Sequence, residues 1–92
     1  MSTTAAASVD VPNRLGMHAR PATILAETAG QYACAISVRR DDGGESVDAK
    51  SIMQLMMLAA TQGTTLIIEA SGDGAQDAVT RLVELVGDGF NE

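Results

Sequence analysis

The chain has 92 residues, enough for one domain near the lower size limit for folding without staples, and too small a body for deep enclosed pockets to be expected. Hydrophobic residues make up 46% of it, yet Tyr32 and Phe90 are the only aromatics, so the core must be assembled from Ala, Val, Ile, Leu and Met. Twelve acidic against six basic residues give a net charge of −6, which disfavours nucleic-acid backbones and anionic membrane surfaces as partners.

The small, polar residues 1–6 are expected to form a disordered N-terminal extension to a single domain over residues 7–92. The stretch MSTTAAAS has no basic region followed by a long apolar run, so it does not read as a signal peptide. No segment approaches the roughly 20 apolar residues that span a bilayer. The one cysteine, Cys34, excludes an intrachain disulfide and reads as a small buried hydrophobe. A soluble, cytoplasmic protein is the simplest expectation.

From Ala7 the pattern alternates, with Ala7, Val9 and Val11 on one face, which predicts a half-buried strand ending near Pro12. After the loop NRLGMH, residues Ala22, Leu25, Ala26 and Ala29 fall at helical spacing, with Pro21 in the first turn and Gly30 as a left-handed C-terminal residue. A second alternation places Cys34, Ile36 and Val38 on one face. The turn signal DDGG (41–44) then leads to a short strand with Val47 and Ala49, so the two strands are expected to pair as a hairpin. KSIMQLMMLAATQG reads as a second helix, with Ser51 at the N-cap, Gln54 three residues on in a capping-box pattern, and Gly63 at its end. TTLIIEA is a strand with Leu66, Ile68 and Ala70 inward. A third helix follows, capped by Asp73 or Gly74, with Ala75, Ala78, Val79, Leu82, Leu85 and Val86 as its buried stripe. The order βαββαβα predicts an α+β fold: an open-faced two-layer sandwich whose four-stranded, largely antiparallel sheet is covered on one face by three helices.

The chemistry concentrates in NRLGMHARPA, residues 13–22, which holds the only histidine. With a helix starting at Ala19, His18 is its N-cap. The first N–H groups of a helix lack intrahelical partners, and the helix dipole adds partial positive charge there, so the backbone of Ala19 and Arg20 forms a phosphate nest. Arg20 adds a fixed positive charge suited to phosphate oxygens. Gly16 reads as freedom for the loop to present the ring, and Pro21 helps to fix the helix start. Together these parts suggest a phosphohistidine site. On position alone a lone histidine is more commonly a plain cap or a surface residue. Zinc spacing is absent, since there is no second histidine and Cys34 lies on a separate strand. No serine near His18 stands in a nucleophile-elbow context. No metal or cofactor is implied.

NRLGMHARPA resembles the active-site motif of HPr, the histidine-containing phosphocarrier family of the phosphoenolpyruvate-dependent phosphotransferase system. AKSIMQLMMLAATQGTTLIIEASG resembles the second signature of that family, and the element order agrees over nearly the whole chain. The resemblance implies a covalent carrier rather than an enzyme. His18 would accept a phosphoryl group through Nδ1 from phospho-enzyme I and pass it to a histidine of enzyme IIA proteins, while Arg20 neutralises the phosphoryl oxygens. Ser51 matches the serine that a dedicated HPr kinase/phosphorylase modifies in some branches, a role compatible with N-capping because phosphate is tolerated at a helix N-terminus. Ile52, Met53, Met56 and Met57 fall where the family docks its partners, and methionine adapts to more than one surface. A shuttle that shows one site to successive partners is expected to be a monomer.

The N-terminus and the DDGG turn are longer than in the best-known sugar-transport members. The ending GDGFNE resembles the nitrogen-related branch, NPr, about as well as the sugar branch. The leading expectation is therefore a carrier of the sugar phosphotransferase system, with the same chemistry in the regulatory nitrogen-related branch as the alternative. A module that binds regulators through the Met patch without carrying phosphate is a third reading, and it gives the His18–Arg20 pair nothing to do.

Overall fold

The alternating and helical patterns build one sheet and one helix layer. A computed structural model describes residues 3–91 of the chain. The elements are β1 (Thr4–Asp10), α1 (Ala19–Ala29), β2 (Ala35–Arg40), β3 (Val47–Asp48), α2 (Ile52–Met57), β4 (Thr65–Ser71) and α3 (Ala75–Gly87), followed by a 3₁₀ turn at Gly89–Asn91. The sheet order is β1-β4-β2-β3, and every neighbouring pair is antiparallel. The open-faced α+β architecture is thus as the patterns imply.

Register explains the two faces. Ala7 and Val38 flank Ile68 from either side, and Ala5 and Ile36 flank Ala70, so one row after another turns apolar side chains toward the helices. Ala6 and Ser37 flank Glu69 on the open face, where Arg39 Nε donates to Glu69 Oε1 at 3.2 Å. Helix α3 lies across β1 and β4, and α1 packs against α2 and α3. All six residues of the α3 stripe and all four of the α1 stripe are buried, and Cys34 is a free, buried thiol.

Three local expectations need correction. Thr4–Ala6 are not frayed: they extend β1 by pairing with Glu69–Ser71, because a central β4 of seven residues offers a ladder long enough to hold them (Met1 and Ser2 lie outside the described residues). Gly30 is not left-handed. Its φ of −64° continues the helical turn, and Gln31 and Tyr32 close the end with bonds to Thr28 and Ala29 carbonyls. Helix α2 stops at Met57, well before Gly63, because Ala59 adopts a left-handed φ of 52° and turns the chain. The β2 and β3 strands do pair as a hairpin, with a wide turn: Val38 pairs with Val47, which leaves Arg39 and Arg40 beyond the last rung. For α3, Gly74 is the N-cap, at a φ of 79° that favours glycine over Asp73.

Candidate functional site

The loop from β1 to α1 is a tight structure. Gly16 N donates to the Asn13 carbonyl at 3.1 Å, Asn13 Nδ2 donates to the Gly16 carbonyl at 2.7 Å, and His18 N donates to that same carbonyl at 3.0 Å. Gly16 has a φ of 66°, and a Cβ on it would stand 2.3 Å from the Ala60 carbonyl oxygen and 2.8 Å from Thr61 Cα. Glycine is therefore required here by handedness and by close backbone approach. The reading of Gly16 as freedom for the ring gives way to its opposite, a point of rigid contact.

The loop is braced along its length by the connection from α2 to β4. Met17 N donates to the Ala60 carbonyl at 2.9 Å, with the Met17 side chain buried. Gly63 N donates to the Val11 carbonyl at 2.8 Å, Val11 N to Thr64 at 2.9 Å, and Gln62 Nε2 to Pro12 at 3.0 Å. Residues 59–64 thus act as a rail that holds residues 11–17 in place.

At the end of that loop His18 is the N-cap of α1, in an extended conformation, and its side chain makes no capping bond. Ala22 N donates to the His18 carbonyl at 3.0 Å, which starts the helical ladder. Pro21 carries no N–H, so the helix start offers two donors, the N–H groups of Ala19 and Arg20, and among the described residues no protein acceptor takes either. His18 is half-buried, with Nε2 withdrawn from solvent. Arg20 is exposed, no acidic residue stands in the first turn of α1, and among the described residues no carboxylate pairs with it. The terminus is therefore electropositive from both backbone and side chain. Among the described residues, no group of three or more His, Cys, Asp or Glu side chains could hold a metal ion.

Ser51 and the methionines stand on α2. Ser51 Oγ accepts from Gln54 N at 3.3 Å, so it is the N-cap. The capping box is only half formed, since Gln54 Oε1 accepts instead from Asp48 N at 2.9 Å and Ser51 N donates to the Asp48 carbonyl. Leu55 and Leu58 alone anchor this short helix in the core. Met53 and Met57 are 78% and 76% exposed, while Ile52 and Met56 are 39% and 45% exposed. Neither i, i+4 pair is core, which makes a contiguous exposed apolar face on a small acidic protein.

Sequence and structure comparisons identify the family of the chain. A family profile described as "PTS HPr component phosphorylation site" matches residues 5–88. The chain belongs to the HPr family of phosphocarrier proteins. It is 41% identical over 87 residues to the phosphocarrier protein HPr of Pseudomonas aeruginosa, covering 95% of this chain and 96% of that one. It is 35% identical over 85 residues to the phosphocarrier protein NPr of Escherichia coli, covering 92% and 93%. The crystal structure of HPr-C-His from Thermoanaerobacter tengcongensis superposes with a TM-score of 0.88 at 35% identity, over 96% of this chain and 97% of that one. Family members are carriers within the phosphotransferase system rather than catalysts. No helix is long and apolar enough to cross a membrane among the described residues.

Within this HPr-family fold, His18, Ala19 and Arg20 share one helix start, while Ser51 and the exposed residues of α2 stand on a neighbouring element joined to the histidine loop through residues 59–64. Two further residues belong to the same neighbourhood. Leu15 is 73% exposed in the histidine loop, and its only sequence signal is a large apolar residue between Arg14 and Gly16. Arg40 continues the inward alternation of Cys34, Ile36 and Val38, and opposite it lies inward-facing Leu66. A charge at an inward position is the signal that could have found it. Its guanidinium reaches the end of α2, donating from Nη1 to the Leu58 and Ala59 carbonyls at 3.3 Å each.

Proposed function

We propose that this protein is a phosphocarrier in which His18 Nδ1 attacks the phosphohistidine of phospho-enzyme I. The donor's P–N bond breaks as the new one forms, and the phosphoryl group then passes to a histidine of an enzyme IIA protein. The observation that carries the reading is the state of the helix start: the Ala19 and Arg20 N–H groups and the exposed Arg20 side chain, for which no acceptor stands among the described residues, beside the half-buried His18. Nε2 is withdrawn from solvent, and Nδ1 is the acceptor atom that the resemblance to the family implies. Phosphoryl transfer is mainly positioning and charge stabilisation, and the Ala19 and Arg20 N–H groups with the Arg20 guanidinium supply both without a metal. Arg20 moves onto the phosphoryl oxygens as they arrive. The exposed face of Ile52, Met53, Met56 and Met57 docks successive partners, which suits a cytoplasmic, monomeric shuttle. Phosphorylation of Ser51 by an HPr kinase/phosphorylase would place negative charge at the edge of that face.

The acceptor is a sugar-system enzyme IIA protein on the stronger likeness to a relative named HPr, and a regulatory, nitrogen-branch acceptor is the second reading, favoured by the relative named NPr that matches over almost the whole chain. The test is incubation with enzyme I and radiolabelled phosphoenolpyruvate. Acid-labile, base-stable label that disappears in His18→Ala is the expected result. Absence of label on the wild type with a competent enzyme I, or label that survives His18→Ala, overturns it. Chasing the labelled protein into a panel of IIA proteins reads out the branch.

A further inference from the structure

Arg40 is the one charged residue in a row of inward-facing positions on β2, and the sheet provides it no salt partner there: its neighbour across β4 is Leu66. Its partners lie elsewhere. Nε and Nη2 form a two-pronged contact with the Asp42 carboxylate, at 3.0 and 2.7 Å, which fixes the plane of the guanidinium. Nη1 is thereby aimed at the last turn of α2, where it bonds the carbonyls of Leu58 and Ala59. These carbonyls lie past the helical ladder, and Ala59 holds a left-handed backbone that alanine adopts only at a cost. The next carbonyl, Ala60, receives the Met17 N–H, and its oxygen fills the space that a side chain on Gly16 would need. His18 follows one residue later.

We infer that Arg40 is a positioning residue for His18: with Asp42 as its holder, it stabilises the left-handed turn at Ala59 and so sets the Ala60 carbonyl against which the histidine loop is placed. The inference rests on the phosphocarrier reading for its functional consequence, but its structural half stands on the chain Arg40–Ala59–Ala60–Met17 alone. The Arg40 guanidinium is engaged by Asp42 and by the Leu58 and Ala59 carbonyls, so it acts at a distance, through backbone that has little room to shift. Small displacements of a reacting group can cost up to about a hundred-fold in rate.

Three variants test this: Arg40→Ala, Arg40→Lys and the double variant Arg40→Ala/Ala59→Gly. Glycine adopts the left-handed turn without help, so it should make Arg40 dispensable. Two readouts are taken on each: hydrogen exchange at the Met17 amide, and the kinetics of phosphoryl transfer from phospho-enzyme I. Arg40→Ala is expected to speed Met17 exchange about ten-fold. It is also expected to slow the maximal transfer rate about ten-fold while the concentration for half-maximal rate stays within about two-fold. Arg40→Lys, with its charge but no fork, is expected to fall between wild type and Arg40→Ala. The double variant is expected to recover most of both losses. A raised half-saturation with an unchanged maximal rate would make Arg40 a docking residue and overturn the inference. So would unchanged Met17 exchange, a lysine variant no better than the alanine one, or a double variant no better than the single. A wild-type protein that takes no label fails the phosphocarrier reading instead, and the exchange data still decide the coupling.

Discussion

The close approach at Gly16 makes a quantitative prediction for Gly16→Ala. Two costs are separable. The first is conformational: a non-glycine residue in the left-handed region costs about 1–2 kcal/mol, offset by up to about 1 kcal/mol because alanine also restricts the unfolded chain. The second is steric. The new Cβ would stand 2.3 Å from the Ala60 carbonyl oxygen, where ordinary contact begins at 3.4 Å, and both obstructing atoms are backbone, so no rotamer change relieves it. The rail at residues 59–64 must retreat by about 1 Å, which strains or breaks the Met17–Ala60 and Gly63–Val11 bonds at about 1 kcal/mol each. The sum is about 3 kcal/mol, a large share of the roughly 5–14 kcal/mol expected for a domain of this length, and it corresponds to a Tm lower by about 12–24 °C. Gly63→Ala is the control. Gly63 is also left-handed, at a φ of 88°, but a Cβ there meets nothing within 4 Å, so only the conformational cost of about 1 kcal/mol applies. Urea unfolding followed by circular dichroism gives both values. If Gly16→Ala and Gly63→Ala agree to within about 0.5 kcal/mol, the steric argument is refuted.

Three further outcomes are expected. Phe90 is among the largest fully buried side chains, at 1% exposure, so Phe90→Ala should cost about 3–5 kcal/mol in denaturant unfolding; a loss below about 1 kcal/mol would show that the C-terminal turn is not part of the core. Ser51→Ala removes the acceptor for Gln54 N, a long bond at 3.3 Å, and should cost about 0.5–1 kcal/mol; Ser51→Asp should restore that stability while slowing transfer to acidic partners, and equal transfer rates for both variants would contradict a role for charge at this edge. The Arg40 guanidinium, by hydrogen bonding to Asp42, holds that carboxyl below its ordinary value. Its contribution is therefore present above about pH 4 and fades as the pH falls through the lowered value, so the Tm difference between wild type and Asp42→Asn should close in acid and shrink in high salt. A difference that widens on acidification would reverse the assigned sign.

Much of the fold was legible because its signals are local. The α3 stripe from Ala75 to Val86 carries its own 3.6-residue period, and the strands carry a period of two, so burial follows from spacing alone. The misplaced boundaries share a different cause. Nothing in LAATQG says that a helix should end before Gly63, since alanine is the best helix former; the turn at Ala59 is set by Arg40 and Met17, which are distant in sequence. Ala5 and Ala6 have weak strand propensity, and Thr4–Ala6 are strand only because β4 extends alongside them. The candidate site divides the same way. His18, Ala19, Arg20 and Pro21 are contiguous, so their joint chemistry can be read in one line, whereas what holds Gly16 and Met17 is the Ala60 backbone, which no side-chain pattern announces.

The sheet order also dictates when the histidine loop can acquire its shape. β1 has a single neighbour, β4, whose residues 65–71 close the ladder with residues 4–10. The rail at residues 59–64 leads directly into that strand, and its bonds to Val11 and Met17 continue the same pairing past the edge of the sheet. A chain emerging from the ribosome can form α1 and the β2–β3 hairpin early, because their contacts are close in sequence. It cannot fix the N-terminal strand or its following loop until about three quarters of the polypeptide, through Ser71, is available. Sheet closure and bracing of the histidine loop are one cooperative event, and a nascent chain that ends before β4 carries His18 on a loop with nothing to lean on.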